Sequence, residues 1–513
     1  MNRIRRIDHI LPFSLLTAAA VALSCAFVAP AVAQAHGGGS GGDNLPLGSM
    51  YHVVDQIGAR ELWSEGITGE GINVAIIDTG VVPVAALSDA DKVVAVVDLS
   101  AEAGVPEATY LDTYGHGTHV AGIIAGRTPG ADPAQADDHP EWFMGVAPDA
   151  GLVSVKVADN TGAADISQVI AGVDWVVEHA DELDIRVLNL SYTSRSPLDY
   201  ESDPLTFALE RAWNAGLVVV VAAGNDGWGA RGLASPANDP YVIAAGAVEA
   251  VGDHDFVVPS WASSGNGLRN PDVAAPGAHI DSLRVPASRV DQEHPEGFVS
   301  DTLFRGSGSS QAAAVVSGAA ALLLDARPNL TNNQVKALLK RETQRPSPGA
   351  AALTGAGVIQ LDDIYRLRAR PGIQTFAPAL GDGSLEAARG GQHVVYNGNV
   401  ISGEITALGT SWTGTSWTGD RWTSGTWNGT SWTGGTWMGT SWTGTSWTGT
   451  SWTGTSWTGT SWTGTSWTGT SWTGTSWTGT SWTGTSWTGT SWTGTSWTGT
   501  SWTGTSWTET SWG

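Results

Sequence analysis

Residues 73–80 read Asn-Val-Ala-Ile-Ile-Asp-Thr-Gly, so a carboxylate follows directly on a run of apolar side chains. A short run rich in β-branched residues is typical of a buried strand. Similar runs recur along the chain, and segments with apolar residues at helical spacing separate them. Strands that alternate with helices predict an α/β fold with a mostly parallel sheet covered on both faces. Ligands bind such sheets beyond the carboxyl ends of the strands, which is where Asp78 lies.

The other predicted elements follow the same pattern. The predicted strands lie at residues 73–77, 93–97, 152–157, 187–190, 217–223 and 241–247, and the first two are expected to be buried. The predicted helices cover residues 166–180, 207–215, 311–326 and 331–342. Thr331 or Asn332 is expected to cap the last of these helices.

The composition limits the class of partner. The 513 residues include 25 Lys and Arg against 49 Asp and Glu, for a net charge of −24. Nucleic-acid binding needs clustered basic side chains that neutralise phosphates. We therefore expect no nucleic-acid partner.

The first residues have the features of a secretory signal peptide, which we assign to residues 1–35. Basic side chains precede an apolar stretch at residues 10–28, and Ala31-Val-Ala33 is a small-x-small cleavage site. The alternative is a membrane anchor, but the stretch is short for a membrane span. We therefore expect a secreted protein, extracellular or associated with the cell surface, with no stable membrane span in the mature chain.

The single cysteine, Cys25, lies inside this predicted signal peptide. After cleavage the chain would contain no thiol. We therefore expect no disulfide, no cysteine nucleophile and no cysteine metal site.

Three further motifs carry groups suited to catalysis. His116 stands between two glycines before an apolar helix, and glycines let other groups approach the ring closely. Ser310 stands at the start of an Ala-rich helix, where free backbone N–H groups can stabilise a developing negative charge. Asn225 follows a predicted strand, so its amide is a candidate donor to the same charge.

Each of these residues also has an ordinary structural interpretation. Asp78 is equally suited to capping a turn or helix, Ser310 to capping its helix, and Asn225 to forming a turn. A packed loop histidine is the alternative for His116, although that interpretation fits His119 better. Taken singly, the motifs leave these alternatives open.

Taken together, the motifs resemble the subtilisin-like serine proteases. Asp78-Thr-Gly, Gly115-His-Gly-Thr-His-Val-Ala-Gly122, Ala223-Gly-Asn225 and Gly308-Ser-Ser310 occur in the family's order of Asp, His, Asn and Ser. The resemblance extends from about residue 57 to residue 339. It implies a subtilisin-like three-layer fold, with a mostly parallel sheet flanked by helices.

The resemblance also implies a role for each motif residue. Ser310 would be the nucleophile, His116 the general base and Asp78 the group that orients the imidazole. Asn225 and the backbone N–H of Ser310 would form the oxyanion hole. The expected activity is that of a serine endopeptidase that hydrolyses peptide bonds through an acyl-enzyme intermediate.

Candidate substrate-binding residues follow from the same resemblance. Ser191, Tyr192 and Thr193 match the segment that pairs with the backbone of a protein or peptide substrate. Ala223 and Gly224 are expected to line the cleft beside it. Asp226 lies where the rim of the first specificity pocket is expected, which suggests a preference for basic residues before the scissile bond.

The sequence departs from the family around the nucleophile. The usual Gly-Thr-Ser-Met-Ala-x-Pro is replaced by Gly308-Ser-Ser-Gln-Ala-Ala-Ala314, so Gln311 stands where the family has Met. An inactive, protease-like carrier of the repeat tail is therefore kept as the alternative function. No cofactor is expected to be required. Calcium sites are common in the family, but no ligand pattern can be assigned here, so the metal sites stay unknown.

The remaining boundaries follow from composition. Residues 36–50 are rich in Gly and form a predicted flexible segment, residues 51–368 the peptidase domain, and residues 369–409 a Gly/Pro-rich linker. In residues 410–513 the pentapeptide Thr-Ser-Trp-Thr-Gly repeats, with Trp at every fifth position from Trp412 to Trp512.

Two structures remain open for this low-complexity repeat tail. One is a β-solenoid-like stack with a short strand in each pentapeptide, and the other is disorder. Its Trp residues suit binding to cell-wall glycan or self-association.

Overall fold

The structure is a computed structural model. It describes residues 41–407 apart from 90–91, 106–107, 230–231, 345–350, 371 and 397, together with the backbone of strands between residues 416 and 509. The predicted signal peptide, Cys25 and residues 36–40 of the predicted flexible segment lie outside the described residues.

The elements before the repeat tail are numbered in chain order. The strands are β1 Asn73–Asp78, β2 Val93–Asp98, β3 Gly151–Lys156, β4 Ile185–Leu190, β5 Val218–Ala222, β6 Ile243–Ala250, β7 Phe256–Val257, β8 Val273–Pro276, β9 Ile280–Leu283, β10 Leu303–Gly306, β11 Thr343–Gln344, β12 Val358–Ile359, β13 Val395–Tyr396 and β14 Asn399–Val400. The α-helices are α1 Met50–Gln56, α2 Ala59–Ser64, α3 His116–Ala125, α4 Ile166–His179, α5 Pro204–Asn214, α6 Arg289–Glu293, α7 Ser309–Ala326, α8 Asn332–Leu339, α9 Ala351–Thr354 and α10 Leu385–Ala388.

The central sheet is mainly parallel, as the sequence predicts. Its strand order is β11-β12-β8-β6-β5-β4-β1-β3-β2, and β7 pairs with β6. Neighbours from β12 to β2 run parallel, while β11 and β7 add antiparallel pairs at their edges. The carboxyl ends of β1, β4 and β5 therefore lie side by side, and each is followed by one of the candidate site segments.

Strand β2 differs from its prediction. The run Val93–Val97 is apolar enough to be a buried strand, but Val94 and Val96 are 40% and 45% exposed. The prediction of burial is wrong because β2 ends the sheet and has a neighbour on one side only. The apolar run reflects strand propensity rather than a position inside the core.

Several helices begin earlier than predicted. Helix α3 starts at His116 itself, and α7 starts at Ser309 rather than Gln311. Helix α5 starts at Pro204 because Asp203 accepts a hydrogen bond from the N–H of Leu205 and caps the first turn. The predicted cap at Thr331 is confirmed, with a reciprocal capping box to Gln334.

Helix α7 runs through the core beside the sheet. Its small side chains let the sheet approach closely, and most of its residues are buried. Among the helices of the described residues, α7 alone is long and apolar enough to cross a membrane. However, 89% of that stretch is buried in the fold. That burial identifies α7 as the core helix of the domain.

The segment predicted as a linker, residues 369–409, packs against the domain in its described part. Leu385, Ala388 and Arg389 are buried, and β13 pairs with β14 in a hairpin. The Gly residues that suggest a linker form turns instead, with positive φ at Gly381, Gly390 and Gly403. Composition alone does not separate a turn-rich packed segment from a free one.

In the repeat tail, the structure describes backbone strands only. They are β15 Ser416–Trp422, β16 Thr426–Trp427, β17 Ser431–Trp437, β18 Ser441–Gly454, β19 Trp457–Gly474, β20 Trp477–Gly489, β21 Trp492–Gly494, β22 Trp497–Gly499, β23 Trp502–Gly504 and β24 Trp507–Glu509. The pairs are parallel and in register, first three repeats apart (Ser416 with Ser431) and then four repeats apart (Trp442 with Trp462). Most matching positions along neighbouring strands therefore hold identical residues, with exceptions such as Arg421 opposite Thr436.

Candidate active site

Asp78 and His116 form a buried pair beyond the carboxyl end of the sheet. Asp78 is the last residue of β1, and His116 is the first residue of α3. Nδ1 of His116 lies 2.7 Å from Oδ1 of Asp78, and both side chains are only 1% exposed. Gly115 precedes the helix with a φ of 106°, which turns the chain so that the ring meets the carboxylate.

Asp112 ties the loop before His116 to the residue after Asp78. Its Oδ1 accepts hydrogen bonds from Oγ1 of Thr79 at 2.8 Å and from the N–H of Gly115 at 2.6 Å. Its Oδ2 accepts from the N–H of Thr118 at 2.8 Å. Burial raises the pKa of Asp112, and these hydrogen bonds oppose the rise. The sequence reasoning missed this residue, although an Asp four positions before His116 is a visible signal.

Lys156 is a second buried support that the sequence reasoning missed. It lies beside Asp78 in the register of β1 and β3 and is fully buried. Its Nζ donates to the carbonyl of Thr79 at 2.8 Å and lies 2.9 Å from Oε2 of Glu102. A single lysine in an apolar strand was the available signal, because a buried ammonium group needs a carboxylate or carbonyl partners.

Ser310 lies in the first turn of α7 and is 7% exposed. The two neighbouring serines are engaged with the backbone of adjacent loops. Oγ of Ser307 accepts from the N–H of His279 at 2.8 Å, and Oγ of Ser309 accepts from the N–H of Gly224 at 3.0 Å. Ser310 therefore remains the candidate nucleophile of the three.

The Asn225 amide is aimed at a small space above Gly308. Its Oδ1 accepts a hydrogen bond from the N–H of Ser309 at 2.9 Å. An ideal Cβ atom built on Gly308 would lie 3.3 Å from Nδ2 of Asn225 and 3.7 Å from the backbone nitrogen of Ser310. Nδ2 of Asn225 and the backbone nitrogen of Ser310 are therefore the candidate donors of an oxyanion hole, although Oε1 of Gln311 lies closest to that point, at 2.9 Å.

The candidate substrate-binding residues border the start of α7. Oγ of Ser191 makes a long hydrogen bond of 3.5 Å to the carbonyl of Ser310, and Gly224 contacts Ser309 as described. Tyr192 and Thr193 are half-buried, whereas Ala223 is 1% exposed and its N–H donates to the carbonyl of Ala245. Their role in substrate binding stays a prediction.

Asp226 lies on the exposed rim beyond Asn225. Its Oδ1 is 3.6 Å from Nη2 of Arg195, and the two side chains are 44% and 66% exposed. The rim carboxylate therefore has a cationic neighbour, which the sequence does not reveal.

His119 and Gln311 meet on the inner side of the site, across Gly306. An ideal Cβ atom on Gly306 would lie 3.0 Å from Nε2 of His119 and 2.8 Å from Nε2 of Gln311. Burial lowers the pKa of His119 to about 3, with the nearby His116 adding to the effect. His119 is therefore the packed, neutral histidine of the motif. Gln311, at 1% exposure, fills the space beside the candidate nucleophile.

In the part of the chain that the structure describes, no group of three or more His, Cys, Asp or Glu side chains could hold a metal ion. Calcium sites stay unassigned.

Comparison with known proteins agrees with this geometry. A model of the subtilase family matches residues 69–357, which is more than half of the chain.

The chain belongs to the subtilase family.

Individual subtilases are similar to about three fifths of the chain. It is 34% identical over 318 residues to serine protease AprX of Bacillus subtilis, which covers 60% of this chain and 69% of AprX. It is 33% identical over 322 residues to subtilisin of Bacillus pumilus, which covers 61% of this chain and 98% of that subtilisin. Thermostable alkaline protease of Halalkalibacterium halodurans is 30% identical over 310 residues, or 60% of this chain and 71% of the relative. This subtilase is therefore a serine endopeptidase.

Proposed function

We propose that this subtilase cleaves peptide bonds with Ser310 as nucleophile, His116 as general base and Asp78 as the residue that orients the imidazole. The observation that carries the proposal is the buried contact of 2.7 Å between His116 and Asp78, formed where β1 ends and α3 begins. Ser310 stands at the start of α7, which packs beside α3. Asp78 accepts a hydrogen bond from the N–H at Nδ1 of the ring, so the other ring nitrogen, Nε2, can accept a proton.

The reaction has two halves. Oγ of Ser310 attacks the scissile carbonyl while Nε2 of His116 takes its proton. The tetrahedral intermediate collapses to an acyl-enzyme as His116 returns the proton to the leaving amine. Water then attacks the ester by the same route, and Ser310 is regenerated.

The negative charge on the tetrahedral intermediate would occupy the space above Gly308. Nδ2 of Asn225 and the backbone nitrogen of Ser310 are the nitrogens nearest to that space, and the hydrogen bond from the N–H of Ser309 supports this orientation of the Asn225 amide. In subtilisin, loss of one such donor costs about 3–4 kcal/mol of barrier. We expect a comparable contribution here because the donors are already aligned before substrate binds.

We also propose that the enzyme acts outside the cell and that its repeat tail attaches it to a surface. The predicted signal peptide supports secretion. The parallel register of strands four repeats apart supports a stacked, β-solenoid-like tail, and a regular array of Trp suits weak, repeated contacts with glycan or with other tails. Retention on cell-wall glycan should fall when residues 410–513 are removed, and equal retention of both forms would contradict the glycan role.

Labelling with a fluorophosphonate probe tests the catalytic proposal. The purified protein should be labelled at Ser310 and should cleave casein. Ser310→Ala should abolish both, and His116→Ala should abolish labelling at neutral pH, while Ser307→Ala serves as the matched control. The inactive-carrier alternative is not favoured, because Asp78, His116, Asn225 and Ser310 are all retained. If the folded protein takes no label, the inactive-carrier alternative is the better description.

A further inference from the structure

The segment beyond the family domain is fastened to the domain by one buried arginine. We name described residues 372–396 and 398–407 the strap; they lie outside the residues that match the subtilase family, 69–357. Arg389, in the strap, is 1% exposed and is among the largest fully buried side chains in the described part of the chain. Its Nε lies 2.6 Å from Oδ2 of Asp165 and its Nη2 lies 3.4 Å from Oδ1.

The same guanidinium also joins two parts of the strap, residue 389 and the later residues 403–405. Nη1 donates to the carbonyl of Gly403 and Nη2 to the carbonyl of Ile405, each at 2.5 Å. A buried guanidinium with all of these acceptors is fully compensated, whereas its loss would leave Asp165 buried without a cation. Arg389 therefore connects three parts of the molecule: α10, the returning chain at 403–405, and Asp165.

Asp165 is the N-cap of α4 and fixes the first turn of that helix. Its Oδ1 accepts from the N–H of Ser167 at 3.0 Å and from Oγ of Ser167 at 2.5 Å. Oγ of Ser167 in turn accepts from the N–H of Ala407, at the end of the strap, at 2.9 Å. Two separate points of the strap are thus held at the first turn of α4.

The strap then follows the segment that leaves the candidate substrate-binding edge. The N–H of Gly383 donates to the carbonyl of Ser202 at 2.8 Å, and the N–H of Leu380 donates to the carbonyl of Glu201 at 2.6 Å. At Gly390, where φ is 63°, a Cβ atom would lie 2.3 Å from the carbonyl carbon of Arg195. The backbone of the strap therefore contacts the backbone of this segment at both of its ends, at Arg195 and at residues 201–202.

Tyr192 links this region to the buried arginine. Its side chain packs against the core from the middle of the Ser191–Thr193 edge. Burial raises the pKa of the Tyr192 hydroxyl, and the carboxylates of Asp165 and Asp203 add to the rise while Arg389 opposes it. The charged pair that anchors the strap therefore acts electrostatically on a residue of the candidate substrate-binding edge.

We propose that the strap is a specificity element of this protease and that Arg389 is its positioning residue. By holding the first turn of α4 and the segment 195–202, it fixes the edge at Ser191–Thr193 along which an extended peptide would lie. Longer peptides that use this edge depend on the strap, and short substrates that reach only the nucleophile do not. This inference rests on the proposed function.

The test compares two substrates on the full-length chain. A tetrapeptide anilide and a single-residue ester with the same residue before the scissile bond are assayed with the unmodified protein and with Arg389→Met. The ratio of their kcat/KM values should fall about ten- to hundredfold, as expected when a distant change misplaces a binding segment. The change should appear in KM for the peptide, with the ester little affected. Arg389→Lys should restore part of the ratio, because it keeps the charge but not the forked geometry.

Arg211→Met is the matched control, because Arg211 of α5 forms another buried arginine–aspartate pair, with Asp174 of α4, and its Nη1 lies 2.7 Å from Oδ1 of Asp174. It should lower the unfolding temperature and leave the substrate ratio unchanged. If Arg389→Met does not fold, Ser167→Ala takes its place, because it removes the acceptor for the N–H of Ala407. The ratio of the two kcat/KM values should then fall in the same direction but by a smaller factor. If Arg389→Met or Ser167→Ala lowers the unfolding temperature but leaves the ratio of the two kcat/KM values unchanged, the strap only stabilises the fold and the specificity proposal is wrong. Failure of the proposed function is distinct: the unmodified protein would then hydrolyse neither substrate and take no fluorophosphonate label.

Discussion

The backbone N–H of Ser309 donates a hydrogen bond of 2.9 Å to Oδ1 of Asn225. The bond fixes which end of the Asn225 amide faces the site, because an amide whose oxygen accepts from Ser309 must present its NH₂ group elsewhere. Nδ2 of that group lies 3.3 Å from an ideal Cβ atom built on Gly308, and the backbone nitrogen of Ser310 lies 3.7 Å from the same point. The donors expected to stabilise the intermediate are therefore oriented by the residue that precedes the nucleophile.

Gly308→Ala should abolish most activity without unfolding the protein. The added methyl group would occupy the space where the oxyanion is proposed to sit, 2.9 Å from Oε1 of Gln311 and 3.3 Å from Nδ2 of Asn225. The backbone itself is compatible with Ala, since φ is 167°. We expect kcat to fall by at least about 10²-fold, the loss that removal of one oxyanion donor causes in subtilisin.

Circular dichroism and fluorophosphonate titration accompany that measurement. Gly252→Ala provides the control, because its new methyl group meets only side-chain atoms of Asp255, at 3.3 Å or more. Full activity in Gly308→Ala would show that the intermediate's charge lies elsewhere.

The candidate residues of this site carry local sequence signals, and the structure brings two of them, Asp78 and His116, into contact. Asp78 ends an apolar run, His116 lies between glycines, and Ser310 precedes an Ala-rich helix. Which strands are neighbours depends on pairings between distant segments, so the exposure of β2 could not be read from its own apolar run. The supports of the site depend on such pairings too, as with Lys156 beneath Thr79.

The strap shows the same limit more clearly. Arg389 and Asp165 are 224 residues apart in the sequence, and neither lies in a pattern that marks a buried pair. Gly and Pro residues occur both in linkers and in packed turns, so the composition of the strap does not distinguish the two. Burial of the arginine is decided by the tertiary fold, and no local rule predicts it.

Removing Arg195 should increase the preference for basic residues before the scissile bond. Arg195 lies 3.6 Å from Asp226 and competes with a cationic substrate side chain for the same carboxylate. Because both side chains are exposed, we expect Arg195→Ala to raise kcat/KM for Lys over Leu at that position only about two- to fivefold. Asp226→Asn should lower the same ratio, and Arg195→Ala should add nothing in the Asp226→Asn background. An effect of Arg195→Ala that persists there would mean that the two residues act independently.

Gln311 should make the active site resistant to peroxide. The family usually has Met beside the nucleophile, and its thioether oxidises to a polar sulfoxide. Gln311 is buried beside Gly308 and offers no sulfur at that position. Treatment with hydrogen peroxide should therefore leave most activity in the parent and remove most of it in Gln311→Met. Met144, which is buried elsewhere in the domain, is present in both proteins and serves as the internal control. Equal inactivation of both proteins would place the sensitive group away from residue 311.

Glu210→Gln should stabilise the protein selectively at higher pH. The pKa of Glu210 is raised to about 8, chiefly by burial and then by the charge of Asp239. The folded state thus holds this proton more tightly than the unfolded state, so the contribution of Glu210 to stability is full below its ordinary pKa of 4.5 and is lost as the pH rises to about 8. Gln does not ionise, and its carbonyl can still accept from the N–H of Ala379, which lies 2.8 Å from Oε1 of Glu210.

Urea unfolding in a Ser310→Ala background should give similar stabilities at pH 4.5 and a clear gain for Glu210→Gln at pH 8. Glu70→Gln, at an exposed position, controls for the loss of one negative charge. A gain of the same size at both pH values would contradict the role of proton binding at Glu210.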